Sequence, residues 1–290
     1  MLYLDNAATT PLLPEVRKVM INYMVDNFGN PSSIYKIGRM NKIAVEEARK
    51  SIAETIGACP DDIFFTSGGT ESDNWVLESA AESATESDSA HIIVSAIEHP
   101  AVINKCIQLK KRGCDVDYIK TDKNGIINTD DLISKIRDDT KLISVMLVNN
   151  EIGTIQPVKN VCNIAAEYAI PVHTDAVAAY GHIPVNVKEL GVDYLSVSAH
   201  KIGGAKGTGF LYAKAANINP YIYGGGQEKG KRSGTENVAG IMGLAKAAEI
   251  AQEKLDSRIE EENITKNYIT DRILREIKGS SLNGDYKKRI

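Results

Sequence analysis

Lys201 is the residue around which chemistry can be argued first. It lies in SVSAHKIGGAKGTG, Ser196 to Gly209, where a strand-like run from Tyr194 to Val197 delivers it to a turn, and a glycine-rich loop follows it. A lone lysine is ordinarily a solvated surface charge. Held at the end of a buried strand, the same amine can lose its proton and attack a carbonyl carbon. Other groups at strand ends complement it. TSGGTE, Thr66 to Glu71, follows an apolar run and opens a helix; Gly69 lets an anion approach the backbone, the helix start offers free N–H groups, and Thr70 adds a hydroxyl. Asp175 closes PVHTD, and His99 precedes Pro100 after HIIVSAIE.

Each of these has a structural alternative. Ser or Thr followed by Glu is also a capping box, Asp175 could cap a helix, and His99 could be a satisfied structural histidine. Asn149, Asn150 and Glu151 are a polar loop or a source of amide hydrogen bonds. Ser198 and His200 flank the lysine, and Arg232 to Thr235 form a basic, hydroxyl-bearing loop suited to phosphate. Taken together, they supply a carbonyl-reactive amine, a phosphate cradle, a carboxylate for a protonated ring nitrogen and an aromatic ring to stack on a planar group and move protons. That combination is what pyridoxal 5'-phosphate (PLP) requires, with Lys201 as its Schiff-base lysine. His91, His173 and His182 keep a structural reading.

The elements that must position these groups alternate. After an extended arm or short strand at Tyr3 to Asn6, Pro14 opens a helix. A second helix is expected from Gly38 to Ile56, with Ile43, Val45, Ala48, Ile52 and Ile56 as its core stripe. Strands are then expected at IFFTS, HIIVS, DVDYIK, KLISVMLV (the strongest buried strand), PVHTD, the run ending at Ser198, and FLYAK. Helices fall between them, with Glu78 to Ser89 a polar helix end and loop. This order predicts an α/β fold with a mostly parallel sheet covered on both faces, and ligands at the carboxyl ends of its strands. Helices from Val238 to Lys254 and from about Asp256 to Lys278 follow. SLNGDYKKRI then carries a turn at Asn283-Gly284 and the approach to another strand.

Composition narrows the classes. The 290 residues are 43% hydrophobic and 25% charged, with a net charge of −4 and scattered Lys and Arg, which disfavours nucleic-acid binding. No secretory signal is read at the N-terminus, and no apolar run approaches the ~20 residues of a membrane span. Cys59, Cys106, Cys114 and Cys162 lie far apart without CxxC or CxxH spacing. Neither a disulfide framework nor a metal site is suggested, and the expectation is reduced thiols in the cytoplasm.

LDNAATTP, TSGGTESDN, EHPAV, VNNEIGTIQP, HTDAV, SAHKIGGAKGTG and GGGQEKGKRSGTEN, in this order from Asp5 to about Asp285, resemble the successive motifs of the NifS/IscS class of cysteine desulfurases, members of the class-V aminotransferases. The resemblance implies a PLP-dependent transferase of the aspartate aminotransferase-like fold type I. Residues 12–254 would form its PLP-binding large domain. Residues 1–11 and 255–290 would be the arm and first part of an incomplete small domain, leaving apolar surface uncovered. It implies Lys201 and His99 as catalytic residues, with Lys201 bonded to PLP and His99 stacked on its ring. Asp175 would pair the ring nitrogen, Asn150 the ring oxygen, and Gly69, Thr70, Ser198 and His200 the phosphate. Thr235 would reach the phosphate of a second subunit in a homodimer. The substrate implied is L-cysteine, with its sulfur passed as a persulfide to an enzyme cysteine, and thence to an iron–sulfur scaffold or other sulfur-acceptor protein. Two departures stand out. Ala178 replaces the family's glutamine after Asp175-Ala176-Val177, and the family's sulfur-accepting cysteine and carboxylate-binding arginine lie beyond Ile290. The alternatives are a non-catalytic PLP-binding or dimerising chain, or another PLP enzyme such as a selenocysteine lyase or aminotransferase.

Overall fold

A computed structural model of the chain describes residues 2–83 and 89–290. Of the polar stretch from Glu78 to Ser89, residues 84–88 lie outside the described residues. The elements in chain order are α1 (Pro14–Val25), α2 (Lys36–Thr55), β1 (Ile63–Thr66), α3 (Gly69–Glu82), β2 (His91–Ser95), α4 (Pro100–Lys111), β3 (Asp115–Ile119) and α5 (Thr129–Lys135). They continue with β4 (Thr140–Ser144), α6 (Val158–Glu167), β5 (Val172–Asp175), α7 (Val187–Leu190), β6 (Tyr194–Ser198), β7 (Gly209–Ala213), α8 (Val238–Glu253) and α9 (Leu255–Glu276).

The strands form one seven-stranded sheet in the order β1-β7-β6-β5-β4-β2-β3. β7 runs antiparallel to both its neighbours and the other pairs are parallel. β1, β2, β4, β5 and β6 therefore point the same way, and their carboxyl ends share one edge. Side chains along β2 show why both faces are covered. Ile92 and Val94 pack with Trp75 and Leu77 of α3 and Val102 and Leu109 of α4. Ile93, one step round, joins the opposite core with residues of α1, α2, α6 and α8. The period of two in a strand sends alternate residues to opposite layers, which gives the expected α/β architecture with a mostly parallel sheet.

Three local expectations are corrected. Of the two readings for Tyr3 to Asn6 the strand is not formed; the segment is an irregular arm that ends in a turn at Asn6–Ala8. The run KLISVMLV is a strand only to Ser144, although N–H groups of Val145 and Leu147 still donate to His173 and Asp175 carbonyls at 3.0 and 2.9 Å. In α2, Ile43 is 59% exposed. Two residues before Val45 it stands on the far side of the helix, and the buried stripe is Asn41, Ala44, Val45, Ala48, Arg49, Ile52 and Ala53.

α9 buries only Leu255 among its residues, leaving Ile264, Tyr268, Ile269, Ile273 and Leu274 exposed. It is tied to the body through Arg258, which donates to the Gly181 carbonyl at 2.9 Å, and Glu262, 2.9 Å from His182. The segment from Asn283 pairs with Gly153–Ile155: Ile155 N–H donates to the Lys288 carbonyl at 2.9 Å. No helix among the described residues is long and apolar enough to cross a membrane.

Candidate active site

A cavity of about 580 Å³ opens at the shared carboxyl edge of the sheet, and Gly69, Thr70, His99, Asn150, Asp175, Ser198, His200 and Lys201 all line it. Residues far apart in sequence are thus brought together by the parallel strands that end there: β1 supplies the turn into α3, β2 leads to His99, β4 to Asn150, β5 to Asp175 and β6 to Ser198 and Lys201. Thr235 is outside this group. It lines a smaller neighbouring cleft with Ser67, Gly207 and Arg232.

One end of the cavity is shaped for an anion. Gly68 caps α3 with φ of +146°, a conformation open to glycine, and no side chain caps the helix, so its first N–H groups face outward unpaired by the helix itself. The close approach is enforced from behind. A Cβ on Gly209 would sit 2.4 Å from the Val197 carbonyl oxygen and 2.7 Å from Gly68 Cα, and one on Gly69 would sit 2.5 Å from a Val177 methyl. The capping alternative is half realised: Glu71 accepts the Ser67 N–H at 2.9 Å, and also takes Arg232 at 2.7 and 3.1 Å. Burial opposes ionisation of Glu71, but Arg232 and Ser67 hold its carboxyl below the usual range. The Arg232 loop is thereby fastened to the anion turn.

The opposite features suit the rest of PLP. Asp175 is buried, with one oxygen accepting the Val177 N–H at 2.8 Å. Burial pushes its pKa up, against that N–H and the neighbouring His99 and Lys201. A buried acid at the cavity floor with an oxygen left over is fitted to receive a ring N–H. Lys201 is half-buried, and its amine donates to the Ala7 carbonyl and, at 3.0 Å, to the Ala8 carbonyl of the N-terminal arm. Burial lowers its pKa, while Asp175, Asp5 and Glu151 draw it back. His99 caps α4 through Nδ1, which accepts the Ala101 N–H at 3.1 Å. In the neutral ring the proton is therefore on Nε2. Burial, with Lys201 and Lys206 nearby, keeps the His200 pKa low, and its Nδ1 lies 3.2 Å from the Thr9 hydroxyl. Asn150 donates to Glu151 at 3.0 Å, and Ala178 also lines the cavity. The residues present fit PLP in charge, shape and donor set.

Ala8, Thr9 and Asp73 of the lining, and the buried Glu98 nearby, are not singled out by the sequence. Ala8 and Thr9 line the cavity because Thr10 bonds the His200 carbonyl at 2.8 Å and the Gly203 N–H; only tertiary contact places that arm. Glu98 is buried, accepting from the Ser95 hydroxyl and, at 2.7 Å, from the Met146 N–H. Asp73 lines the cavity and is 1% exposed. A signal for Asp73 was present: it falls on the buried stripe of α3 with Gly69, Ser72, Val76, Leu77 and Ala80, an acid where the helical period demands an apolar residue.

Comparison with known proteins agrees with this geometry. The aminotransferase class-V family matches residues 2–289. A cysteine desulfurase IscS of Methanosarcina thermophila is 49% identical over 99% of this chain and 71% of its own length. That of Dictyoglomus turgidum is 50% identical over 99% and 73%. Among solved structures, a NifS-like protein superposes with a TM-score of 0.92 at 40% identity, covering 94% of this chain and 76% of the other. A structure described as SspA in complex with cysteine has a TM-score of 0.83 at 40% identity, covering 86% and 72%. With this fold, this cavity and these relatives, the chain belongs to the class-V aminotransferase family, in its PLP-dependent cysteine desulfurase branch.

Proposed function

We propose that this chain binds PLP in the cavity at the carboxyl edge of the sheet and serves the conversion of L-cysteine to L-alanine, its sulfur passing to a protein thiol as a persulfide. The observation that carries this reading is the convergence of Lys201, Asp175 and His99 from the ends of three parallel strands onto one cavity. Bound there, PLP supplies an electron sink for the carbon beside the substrate amine. The chain's own groups do the rest. Lys201, its pKa lowered chiefly by burial, has a larger share of free amine, so it can hold the aldehyde carbon and later exchange a proton with the substrate. His99 presents Nε2–H and can relay a proton. Asp175 would pair with the ring nitrogen and favour its protonated form, Asn150 would bond the ring oxygen, and Gly69, Thr70, Ser198 and His200 would hold the phosphate.

The four cysteines stand apart from the cavity; Cys106 and Cys162 are buried with pKa values pushed up to about 12 by burial, and Cys59 is exposed elsewhere. A thiolate is the competent nucleophile. A second reading is a chain that binds PLP without itself completing sulfur transfer.

Residues 12–254 are read as the PLP-binding large domain, with 1–11 and 255–290 belonging to a smaller second domain. A homodimer is supported by the exposed apolar residues Ile21, Met24, Val25, Phe28, Ile34 and Tyr35, and by Thr235 standing outside its own chain's cavity, free to serve a partner's. A cytoplasmic location and an iron–sulfur scaffold or other sulfur acceptor as partner complete the proposal.

The test loads the purified chain with PLP, reads the visible absorbance of lysine-linked PLP, and measures sulfide and alanine formed from L-cysteine with a reductant, against Lys201→Ala. A band lost in Lys201→Ala, with sulfide above that control, supports desulfuration. The band without sulfide selects the second reading. Absence of the band in the unaltered chain refutes the cavity assignment.

A further inference from the structure

Behind the cavity floor lies a row of buried polar side chains that the reaction as described does not use. Ser144 of β4, His173 of β5 and Ser196 of β6 are register neighbours: Ser144 pairs with His173, and Ser196 with Asp175. Directly paired residues share a sheet face, as do residues two apart, so Ser144, His173, Asp175 and Ser196 all point toward α3. His173 Nδ1 is 2.8 Å from the Ser144 hydroxyl and its Nε2 is 3.0 Å from the Ser196 hydroxyl. Asp73 reaches down from α3 onto this row, its Oδ1 3.5 Å from His173 Nε2. That oxygen is fully buried and has no hydrogen-bond partner.

An ionised carboxylate could not rest there cheaply. Removing a charge from water costs several kcal/mol unless a partner compensates it. The one neighbour able to carry a positive charge, His173, is kept neutral by burial, its pKa pushed down to about 3. A second buried carboxyl, Asp175, lies close by, and two like charges in one dry site cannot both be ionised without large cost. The two acids are not equivalent. Asp175 has the Val177 N–H at 2.8 Å and faces the Lys201 amine and the His99 ring across the cavity, both of which favour its ionised form. Asp73 has neither. Burial raises its pKa well above the ordinary value, Asp175 and Glu98 add to this, and the Ser196 hydroxyl works the other way. Glu98 itself, on the turn after β2, is pushed up to about 8, chiefly by burial. The titratable groups facing Asp73 are thus Asp175 and His173 from β5 and Glu98 from the β2–α4 turn, with His99 and Lys201 beyond Asp175.

We propose that Asp73 is a positioning residue for the reaction: a carboxylic acid kept neutral at the base of the cavity, it lies against the polar row of Ser144, His173 and Ser196 and leaves the floor's negative charge on Asp175, where the ring nitrogen of PLP would be met. The role rests on the function proposed above. Asp73 is not a catalytic residue; it acts through Asp175, by fixing which acid of the pair is ionised and by holding the β5–β6 surface that carries it.

Two variants of the full chain and one spectroscopic measurement test this. Asp73→Asn replaces one neutral polar group by another, so the pH midpoint of the visible band of the PLP-loaded chain should move by less than about 0.3 unit, because no charge is removed. Were Asp73 ionised, losing its charge would move that midpoint down by about one unit or more, and such a shift overturns the proposal. Asp73→Leu keeps the volume but sets an apolar side chain against the buried polar row, so its PLP dissociation constant should rise about tenfold, the scale of the cost of facing buried polar groups with an apolar one; an unchanged constant overturns the positioning role. Should Asp73→Leu fail to fold, the infrared difference spectrum between the unaltered chain and Asp73→Asn still decides, because it needs no PLP. A protonated-carboxyl carbonyl absorption lost in Asp73→Asn supports the proposal, and a carboxylate absorption lost instead overturns it. No visible band from the unaltered chain would sink the PLP reading, and this role with it, whatever the infrared result.

Discussion

Arg49→Met should be among the most damaging substitutions made far from the cavity. Arg49 of α2 donates to both oxygens of Glu228, at 2.8 and 2.9 Å, and to the Ile63 carbonyl at 2.8 Å. The two side chains are 4% and 3% exposed. Glu228 has one further donor, the Phe65 N–H at 2.9 Å. It sits at φ +45° beside Lys229 at +59°, a left-handed conformation that non-glycine residues hold only when surrounding contacts enforce it. Removing the guanidinium leaves a carboxylate in a nearly dry site with one N–H, which costs about 3–5 kcal/mol. The neutral pair Arg49→Met/Glu228→Gln removes the stranded charge and should recover most of that, ending within about 1–2 kcal/mol of the unaltered chain. Urea unfolding followed by the fluorescence of Trp75, the one tryptophan, buried between Phe64 and Tyr221, reads the difference. The expected loss for Arg49→Met is about 1 M or more in the urea midpoint. PLP affinity should fall too, since the strained loop leads to Arg232 and its tie to Glu71. A single variant losing less than about 1 kcal/mol, or a double variant as unstable as the single, would refute the reasoning.

Other expectations follow from the same structure. Gly209→Ala places a methyl against backbone on two sides, so it should cost about 1–3 kcal/mol and weaken PLP binding by displacing the Gly68 turn; thermal melting and PLP titration check both, and an unaltered melt sinks the point. Glu98 has its folded pKa raised to about 8 by burial. The folded chain therefore holds that proton more tightly than the unfolded one, and stability is lost as pH rises from the ordinary carboxyl value toward 8. Glu98→Gln should gain on the unaltered chain through that window by up to about 1.4 kcal/mol per pH unit, and a pH-independent difference would count against a buried neutral acid. Because burial lowers the Lys201 pKa, capture of PLP by the apo chain should speed up as pH rises, with a midpoint below the ordinary lysine value; stopped-flow absorbance would show it, and a midpoint at about 10.4 or above would contradict it.

Chemistry-bearing segments were legible in the sequence because local chain chemistry marks them. Pro14 and Pro100 open helices, Gly68 and Gly69 permit a turn before a helix, and short β-prone segments of four or five residues mark strands ending in Ser198, Asp175 and Thr66. Since the parallel strands share a direction, residues at their ends must meet at one edge, so Lys201, Asp175 and His99 could be assigned to one site before any coordinates. The errors were local as well: Ile43 was placed in the core because it is apolar, while the helical period sends it to the surface.

What the sequence alone determined, then, is the alternation of strand and helix and the identity of the groups at the strand ends, both properties of short stretches of chain. Only the tertiary structure decided which acids are buried, where Thr235 stands, that the N-terminal arm reaches Lys201, and that Arg49 and Glu228, 179 residues apart, hold a strained loop together. Those are outcomes of desolvation and of distances between segments remote in sequence, and neither quantity is written in any local pattern of residues.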